Sequence, residues 1–231
     1  MSSLVTSLDY LQASSTDEYK QVYEMEQPLV TICIPTYNRA DSLLNLSLKS
    51  AVKQTYTHLE IIVIGDCCTD HTEEVIRQFN DPRIIFENRE SRGEYPAETY
   101  QHWLVAGSIP TNRALELASG QFITHLDDDD EFAEDRIEKL VNFAKETRAD
   151  LIYHPFYYYV VPEHWVVNDA EPLMCAKITT SSMFYHHWLK CVPWDPKSYL
   201  LNEPGDWNKV RRMLELGIKT ARHPEPLTKK H

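Results

Sequence analysis

Four consecutive aspartates, Asp127, Asp128, Asp129 and Asp130, are the most prominent chemically active group in the sequence. This aspartate tetrad directly follows the apolar segment QFITHL, so it begins where a buried strand would end. Adjacent carboxylates in such a setting repel one another, and a cation would offset that repulsion. Hard oxygen ligands suit Mg²⁺ or Mn²⁺, which also accept phosphate oxygens from a substrate. The tetrad therefore predicts a divalent metal site, with a solvated acidic loop that caps the next helix as the alternative.

Two other apolar segments also end in polar residues. LVTICIP is followed by Thr36 and Tyr37, and LEIIVIG is followed by Asp66. The Asp66 carboxylate could accept an N–H group of a nucleobase, or it could serve as a turn or helix-capping residue. Open parallel sheets bind ligands outside the carboxyl ends of their strands. We therefore expect Thr36, Tyr37 and Asp66 to lie at the same edge of the sheet as the aspartate tetrad.

The elements that must position these residues alternate between strands and helices. Apolar segments predict strands at LVTICIP, LEIIVIG, RIIFEN, QFITHLD and DLIYHPFYYYVV, with antiparallel additions at HWVVND and TSSMFYHH. Helices are predicted at 39–54, at 111–120 with its end at Gly120, at 133–146, and at 206–216, where the last helix would close the fold. A further helix is predicted to start at a capping box formed by Asp70 and Glu73. Near-continuous apolar strands alternating with helices indicate an α/β fold, with a mainly parallel central sheet, helices on both faces and a small antiparallel addition in the C-terminal part.

Composition and charge argue against several classes of protein. The 35 acidic and 23 basic residues give a net charge of −12 without a basic stripe, so nucleic-acid binding is not expected. The apolar runs fall far short of the roughly 20 residues that span a bilayer, and no transmembrane segment is expected. The N-terminus lacks a signal-peptide pattern, and five cysteines without a C-x-x-C motif indicate free thiols. The sequence thus predicts a cytoplasmic protein.

Four segments, in order and at similar spacing, resemble those of the family 2 glycosyltransferases, which have the Rossmann-like GT-A fold. They are VTICIPTYNRADSLLNLSLKSAVKQTY, EIIVIGDCCTDHT, NRALELASGQFITHLDDDDEF and EPGDWNKVRRMLELG. The third contains the D-x-D region, and the last resembles the E-D-W-x-x-W-x-R-x stretch in which many members keep a catalytic base. The resemblance covers residues 29–225. The polar, weakly periodic residues 1–28 predict an extension, and the resemblance implies a single domain at 29–231, with a nucleotide-sugar-binding half at 29–131 and an acceptor-side half at 132–231.

The resemblance implies an inverting, metal-dependent glycosyltransferase. Such an enzyme would move a sugar from a nucleotide diphosphate sugar, with UDP favoured over GDP or dTDP, to a hydroxyl of a glycan or another acceptor. Mn²⁺ or Mg²⁺ would be held by Asp129 and Asp127. Asp206 would be the catalytic base, with the N-cap of the last helix as its alternative role. A homo-oligomer remains an open expectation.

The resemblance also implies which residues bind the nucleotide: Pro35, Thr36, Tyr37, Asp66, Asn112, Arg113, Asp127 and Asp128. Ser181, Ser182 and Trp207 are expected where the acceptor would approach. Gly65 and Gly205 occupy positions where the family usually has acidic residues, so an inactive nucleotide-binding homologue is an alternative to the active enzyme. A sugar nucleotidyltransferase is a second alternative. The aromatic segment from Tyr153 to Trp165 could stack on sugar rings or form sheet core.

Overall fold

A computed structural model of the chain describes residues 5–161 and 164–231. Residues 1–4 of the predicted N-terminal extension and residues 162–163 of the aromatic segment lie outside the described residues. The extension contains helices α1 (Ser7–Ser15) and α2 (Asp17–Gln21), followed by a 3₁₀ turn, Val22–Glu24. Its tyrosines Tyr10, Tyr19 and Tyr23 are buried against the rest of the protein.

A seven-stranded sheet lies at the centre of the fold. Its strands are β1 (Val30–Thr36), β2 (Leu59–Gly65), β3 (Ile84–Asn88), β4 (Phe122–His125), β6 (Leu151–Tyr153), β9 (Met183–His186) and β10 (Thr220–Arg222). They are arranged in the order β10-β6-β9-β4-β1-β2-β3, and β9 runs antiparallel to both neighbours while the other pairs are parallel. Every residue of β1 is buried, because β1 is central and covered on both faces, which explains its uninterrupted apolar sequence.

A smaller second sheet lies next to the aspartate tetrad. Its strands are β5 (Glu131–Phe132), β7 (Phe156–Val161), β8 (His164–Asn168) and β11 (Thr228–Lys230), in the order β5-β11-β7-β8. β11 runs antiparallel to β5 and parallel to β7. Since β5 follows the tetrad immediately, this pairing brings the distant strand β11 to the predicted metal site.

The helices that follow the N-terminal extension lie between the strands along the chain. They are α3 (Ala40–Asn45), α4 (Ser47–Val52), α5 (Thr72–Gln78), α6 (Thr99–Val105), α7 (Ser108–Leu117), α8 (Arg136–Thr147) and α9 (Gly205–Leu214). Helices α4 and α7 contact β1, and α7 also contacts β2. The α/β fold with a mainly parallel sheet is as predicted. Within residues 5–161 and 164–231, no helix has the length and apolarity needed to cross a membrane.

Several predicted helix boundaries are wrong for identifiable reasons. The helix predicted at 39–54 is two helices, because the backbone leaves helical geometry at Leu46. The helix predicted from Asp70 begins at Thr72, and the Asp70 carboxylate accepts from the N–H groups of Thr72 and Ala40, so it joins two helices instead of capping one. Helix α7 ends before Gly120. A Cβ on this glycine would lie 2.6 Å from Thr31 Oγ1, so Gly120 permits a close approach to β1.

The C-terminal part differs most from the prediction. The segment predicted as one strand is β6 and β7, which belong to different sheets. Phe156 is buried, but Tyr158 and Tyr159 are exposed, so most of this segment is not sheet core. Helix α9 does not close the fold, because β10 and β11 follow it, and helix α6 occurs in a stretch without a predicted helix. Short polar strands such as TKK have little apolar periodicity from which to predict them.

Candidate active site

The carboxyl ends of β1, β2 and β4 lie side by side. In the sheet register Thr36 is paired with Gly65, and Cys33 is paired with His125. The contact continues beyond the strands, because the Asp66 N–H donates to the Thr36 carbonyl at 2.8 Å. The polar residues that follow these strands therefore share one edge of the sheet.

Arg39 forms ion pairs with two members of the tetrad. Its Nη1 lies 2.7 Å from Asp129 Oδ2, and its Nε lies 3.7 Å from Asp128 Oδ1. Burial raises the pKa of Asp128 to about 7, although the charge of Arg39 acts in the opposite direction. A partly protonated Asp128 lessens the repulsion within the tetrad at neutral pH.

The buried hydroxyl of Ser181 links the two ends of the tetrad. It donates to Asp130 Oδ2 at 2.7 Å and accepts from the Asp127 N–H at 3.0 Å. Asp130 is fully buried, and burial raises its pKa to about 7. Its second carboxylate oxygen has no hydrogen-bond partner among the described residues. Ser181 thus supports the tetrad from the protein interior.

The structure does not support direct acceptor contact by the two predicted serines. Ser181 and Ser182 are both fully buried, and the Ser182 hydroxyl donates to the Thr179 carbonyl at 2.8 Å. Both follow a segment without regular structure, and the sequence pattern alone did not show that they turn inward. Trp207, the third predicted acceptor residue, is partly buried and packs against the hydrophobic core.

Asp206 lies in the first turn of α9, within electrostatic reach of the tetrad. Pro204 is the N-cap of this helix, so the alternative that Asp206 is only the N-cap is wrong. Its Oδ1 accepts from the Trp207 N–H at 2.6 Å. Burial raises the pKa of Asp206 to about 6, and the negative charge of Asp127 adds to this rise. The carboxylate is therefore mostly ionised at neutral pH and able to accept a proton.

Gly205 allows the start of α9 to pack closely against Trp194. A Cβ at this position would lie 3.2 Å from the Trp194 ring and 3.4 Å from the Leu104 carbonyl oxygen. Contacts of 3.2 Å are tighter than ordinary van der Waals packing, so a larger residue would press against the indole. The glycine that replaces the usual acid before Asp206 therefore has a packing role.

The nucleotide-binding residues predicted on β1 lie at its carboxyl end. Pro35 and Thr36 are buried, and the Thr36 hydroxyl has no hydrogen-bond partner within the part of the chain that the structure describes. Tyr37 is 38% exposed, and the guanidinium of Arg92 lies over its ring. This tyrosine borders the edge of the sheet next to Asp66.

Asp66 is buried and already has partners within the chain. Its Oδ1 forms an ion pair with Arg89 and accepts from the Gly93 N–H at 2.9 Å. Both partners belong to the segment after β3, which the sequence analysis did not connect with this site. The carboxylate is thus held at the predicted nucleoside position by a neighbouring loop.

Asn112 and Arg113 are engaged away from the tetrad. The Asn112 side chain donates to the Trp194 carbonyl at 2.9 Å and accepts from the Trp194 N–H at 2.8 Å. Arg113 makes two hydrogen bonds of 2.8 Å to Glu87 and one of 2.9 Å to Glu116. These pairings give both residues roles in holding α7 in place, and they do not support their predicted contact with a nucleotide.

The tetrad also pairs with a lysine that no sequence motif predicted. Lys230 Nζ lies 3.6 Å from Asp127 Oδ2. Burial raises the pKa of Asp127, and the charge of Lys230 opposes this rise. Arg39, Arg92 and Lys230 belong to none of the recognised motifs. The position of Arg39 just after β1 was the one sequence feature that indicated a site residue among them.

The oxygen donors present fit a divalent ion in type but are few in number. Among the described residues, no three His, Cys, Asp or Glu side chains converge as a metal-binding group. Mg²⁺ and Mn²⁺ bind through one or two carboxylates and take water and substrate phosphates as further ligands. Asp127 and Asp129 fit such an ion once it replaces Lys230 as the partner of Asp127 and Arg39 as the partner of Asp129.

Comparison with known proteins identifies the family. A model described as Glycosyl transferase family 2 matches residues 31–98 and 107–189, which include β2, Asp66, the aspartate tetrad and all of β1 except Val30. The chain belongs to glycosyltransferase family 2. The family resemblance inferred from four sequence segments is thereby confirmed.

Curated relatives of this family 2 chain are glycosyltransferases of bacterial glycan synthesis, judged by their names. A putative teichuronic acid biosynthesis glycosyltransferase, TuaG of Bacillus subtilis, is 31% identical over 123 residues, or 52% of this chain and 43% of the relative. The Escherichia coli enzyme WfgD, named a UDP-Glc:alpha-D-GlcNAc-diphosphoundecaprenol beta-1,3-glucosyltransferase, is 31% identical over 130 residues, or 56% of this chain and 46% of the relative. The aligned region of the chain thus spans less than half the length of these relatives.

Two solved structures share the GT-A fold of this chain. TarS of S. aureus (residues 1–349) in complex with UDP superposes with a TM-score of 0.67 at 16% identity, covering 87% of this chain and 60% of that one. A mannosyltransferase from Pyrobaculum calidifontis in complex with GDP-Man and Mn²⁺ superposes with a TM-score of 0.64 at 16% identity, covering 97% and 64%. At this level of identity the likeness establishes the fold.

Proposed function

We propose that this family 2 protein transfers a sugar from a nucleoside diphosphate sugar to a hydroxyl of a glycan acceptor, with inversion at the anomeric carbon. One observation carries the proposal: Tyr37, Asp66 and the aspartate tetrad follow neighbouring parallel strands at one edge of the sheet, and Asp206 lies close enough to feel the charge of Asp127. Three different strands and one helix supply these residues. A purely structural role for each would not require them to converge.

Asp206 is the proposed base. Its carboxylate accepts the proton of the acceptor hydroxyl while the oxygen attacks the anomeric carbon, and the bond from that carbon to the diphosphate breaks with its electron pair on the phosphate oxygen. Attack from the side opposite the leaving group inverts the configuration. Its pKa of about 6 suits a base that must be ionised near neutral pH and still bind a proton.

Asp127 and Asp129 are the proposed ligands of Mn²⁺ or Mg²⁺. Such an ion supplies Lewis-acid stabilisation of the negative charge on a departing diphosphate. The chain's own part is to present these two carboxylates beside Asp206, and Ser181 contributes to this by fixing the backbone N–H of Asp127. Tyr37 and Asp66 would bind the nucleoside, the tyrosine through its ring and the aspartate through an N–H of the base.

UDP is the favoured donor nucleotide. TarS has been solved with UDP and with UDP-GlcNAc, and WfgD is named for UDP-Glc, whereas the Pyrobaculum mannosyltransferase has been solved with GDP-Man. The names of the curated relatives support a polysaccharide or another glycan as the acceptor. The five cysteines are all free thiols, which agrees with a location in the reducing cytoplasm.

The melting temperature with UDP, GDP, dTDP or CDP, each with and without Mn²⁺, tests the proposal. A ligand at about 100 times its dissociation constant adds about 2.7 kcal/mol, which raises the midpoint by roughly 5 to 10 °C in a domain of this size. We expect UDP to stabilise the protein when Mn²⁺ is present. Stabilisation without any transfer or hydrolysis of UDP-sugars would favour an inactive nucleotide-binding homologue, and no stabilisation by any nucleotide would contradict the proposal.

A further inference from the structure

Strand β11 delivers a lysine to the aspartate tetrad. In the antiparallel register with β5, Thr228 is opposite Phe132 and Lys229 is opposite Glu131, so the next residue, Lys230, reaches the level of Asp130. The strand is anchored there, because the buried Thr228 hydroxyl donates to the Ser181 carbonyl at 3.0 Å. Since Ser181 also bonds to the tetrad, the position of β11 and that of the carboxylates are coupled.

The two lysines of β11 point to opposite sides. Lys229 Nζ lies 3.4 Å from Glu131, outside the tetrad, whereas Lys230 Nζ lies 3.6 Å from Asp127. This follows from the alternation of side chains along a strand. Lys229 is therefore a matched control for Lys230, with the same charge, strand and distance to a carboxylate.

Lys230 is surrounded by negative charge. Four carboxylates act on its ammonium, those of Asp127, Asp130, Asp129 and Asp206. Because 40% of the Lys230 side chain is still exposed, a ligand that enters the site can reach the ammonium.

We propose that Lys230 is a counter-cation for the tetrad beside Arg39, and that it binds the diphosphate of the donor once a divalent ion replaces it at Asp127. The inference rests on the proposed function, since it assigns a residue to the diphosphate of the same site. An ammonium has three N–H donors on a flexible stem and binds phosphate oxygens as a point charge. Rotation of that stem is enough to exchange a carboxylate partner for a phosphate partner.

The two roles predict effects of opposite sign when the charge of Lys230 is removed. Without a nucleotide, Lys230 competes with Mn²⁺ for Asp127, so its loss should tighten the binding of Mn²⁺ alone. With Mn²⁺ saturating, Lys230 attracts the diphosphate, so its loss should weaken the binding of a nucleoside diphosphate. A residue that only supported the fold would weaken both.

The experiment compares wild type with Lys230→Gln, Lys230→Arg and Lys229→Gln. Titration calorimetry measures the affinity for Mn²⁺ alone, and then for UDP and for uridine at saturating Mn²⁺. For Lys230→Gln we expect Mn²⁺ affinity to rise about fivefold, as one removed ion pair allows, and UDP affinity to fall about tenfold. Uridine affinity should not change. Lys230→Arg keeps the positive charge and should therefore keep the Mn²⁺ and UDP affinities close to those of wild type. Lys229→Gln should also resemble wild type.

Three results would overturn the proposal. They are equal effects of Lys230→Gln and Lys229→Gln, a fall in both Mn²⁺ and UDP affinity, or a loss of uridine affinity as large as that of UDP. If wild type binds no nucleoside diphosphate with Mn²⁺, the proposed function is wrong and the diphosphate role of Lys230 falls with it. The Mn²⁺ titration would then still decide whether Lys230 competes for the tetrad.

Discussion

The guanidinium carbon of Arg92 lies 3.6 Å from the centre of the Tyr37 ring. This distance corresponds to direct stacking of a planar cation on an aromatic face. The same segment supplies Arg89 and Gly93 to Asp66. Both residues proposed to bind the nucleoside are thus covered by one loop, and a nucleobase can stack on this face of Tyr37 only after Arg92 moves.

Replacing Arg92 by alanine should therefore strengthen nucleotide binding. Removal of the stacked guanidinium frees the ring face, and a cation–π contact of about 1 kcal/mol at an exposed site corresponds to roughly a fivefold gain in affinity. Calorimetric titration with UDP and Mn²⁺ measures this gain. Arg77→Ala, an exposed arginine on α5, should have no effect. Weaker binding by Arg92→Ala would mean that Arg92 remains in the complex and contacts the nucleotide.

Asp206→Asn should strongly reduce turnover while leaving donor binding intact. Loss of a general base lowers the rate by about 100-fold or more. The control is Glu215→Gln, which removes an exposed carboxylate just beyond the other end of α9. Initial rates of transfer and UDP affinity, measured on the same samples, separate the two effects. Near-wild-type turnover of Asp206→Asn would remove this residue from the mechanism.

The rate of transfer should fall as the pH drops through about 6. Burial raises the pKa of Asp206 to about 6, and the protonated carboxyl cannot accept the proton of the acceptor. The acid limb of the pH–rate profile for wild type should therefore lie well above the pKa near 4 of a free aspartate. An acid limb that remains near pH 4 would contradict the role of Asp206.

Asp130→Asn should stabilise the ligand-free protein at pH 8 and have little effect at pH 5. Burial raises the pKa of Asp130 to about 7, above its value in the unfolded chain. The stabilisation from this raised pKa is complete below the unfolded pKa near 4 and is lost as the pH rises through about 7. Asparagine stays neutral, so the midpoint at pH 8 should rise by about 2 to 4 °C, which corresponds to about 1 kcal/mol. An equal shift at both pH values would indicate a packing effect.

The N-terminal helices should detach when Asp150 is changed. Its carboxylate accepts hydrogen bonds from Tyr10 and Tyr19 at 2.6 Å and from Tyr23 at 3.1 Å. Asp150→Ala leaves these buried hydroxyls without that partner, so unfolding in urea should show a loss of about 3 kcal/mol or more.

Limited proteolysis locates the effect of this change. Cleavage within residues 5–28 should become much faster in Asp150→Ala than in Asp17→Ala, whose aspartate begins α2 and does not take part in the tyrosine cluster. Unchanged stability and unchanged proteolysis would show that the tyrosines hold the segment by packing alone.

Local patterns were enough to predict the central part of the fold. The segments at β1, β2 and β4 are apolar because these strands are buried, so they could be recognised without knowledge of their neighbours. Polar residues placed after such strands could then be assigned to one rim, since parallel strands end on the same edge. Asp66 and the tetrad were found in this way.

Residues paired across long stretches of chain could not be predicted in the same way. Arg39 and Asp129 are 90 positions apart, and the tyrosine Tyr10 is 140 positions from Asp150. Asn112 and Arg113 matched or neighboured a family position, yet their side chains serve Trp194 and Glu87. Which partner a polar side chain finds depends on packing geometry that a local pattern does not contain.

The sequence by itself determined the family, the α/β fold and the position of the carboxylates. The reason is that the burial of the strands, the periodicity of the helices and the order of both can be recognised from contiguous segments. The tertiary structure decided which charges face those carboxylates. The register of β11 against β5 sends Lys230 to Asp127 and Lys229 away from it, and a shift of one residue would exchange them. That register is set by the packing of the whole sheet, so the electrostatics of the site emerge only when the chain is folded.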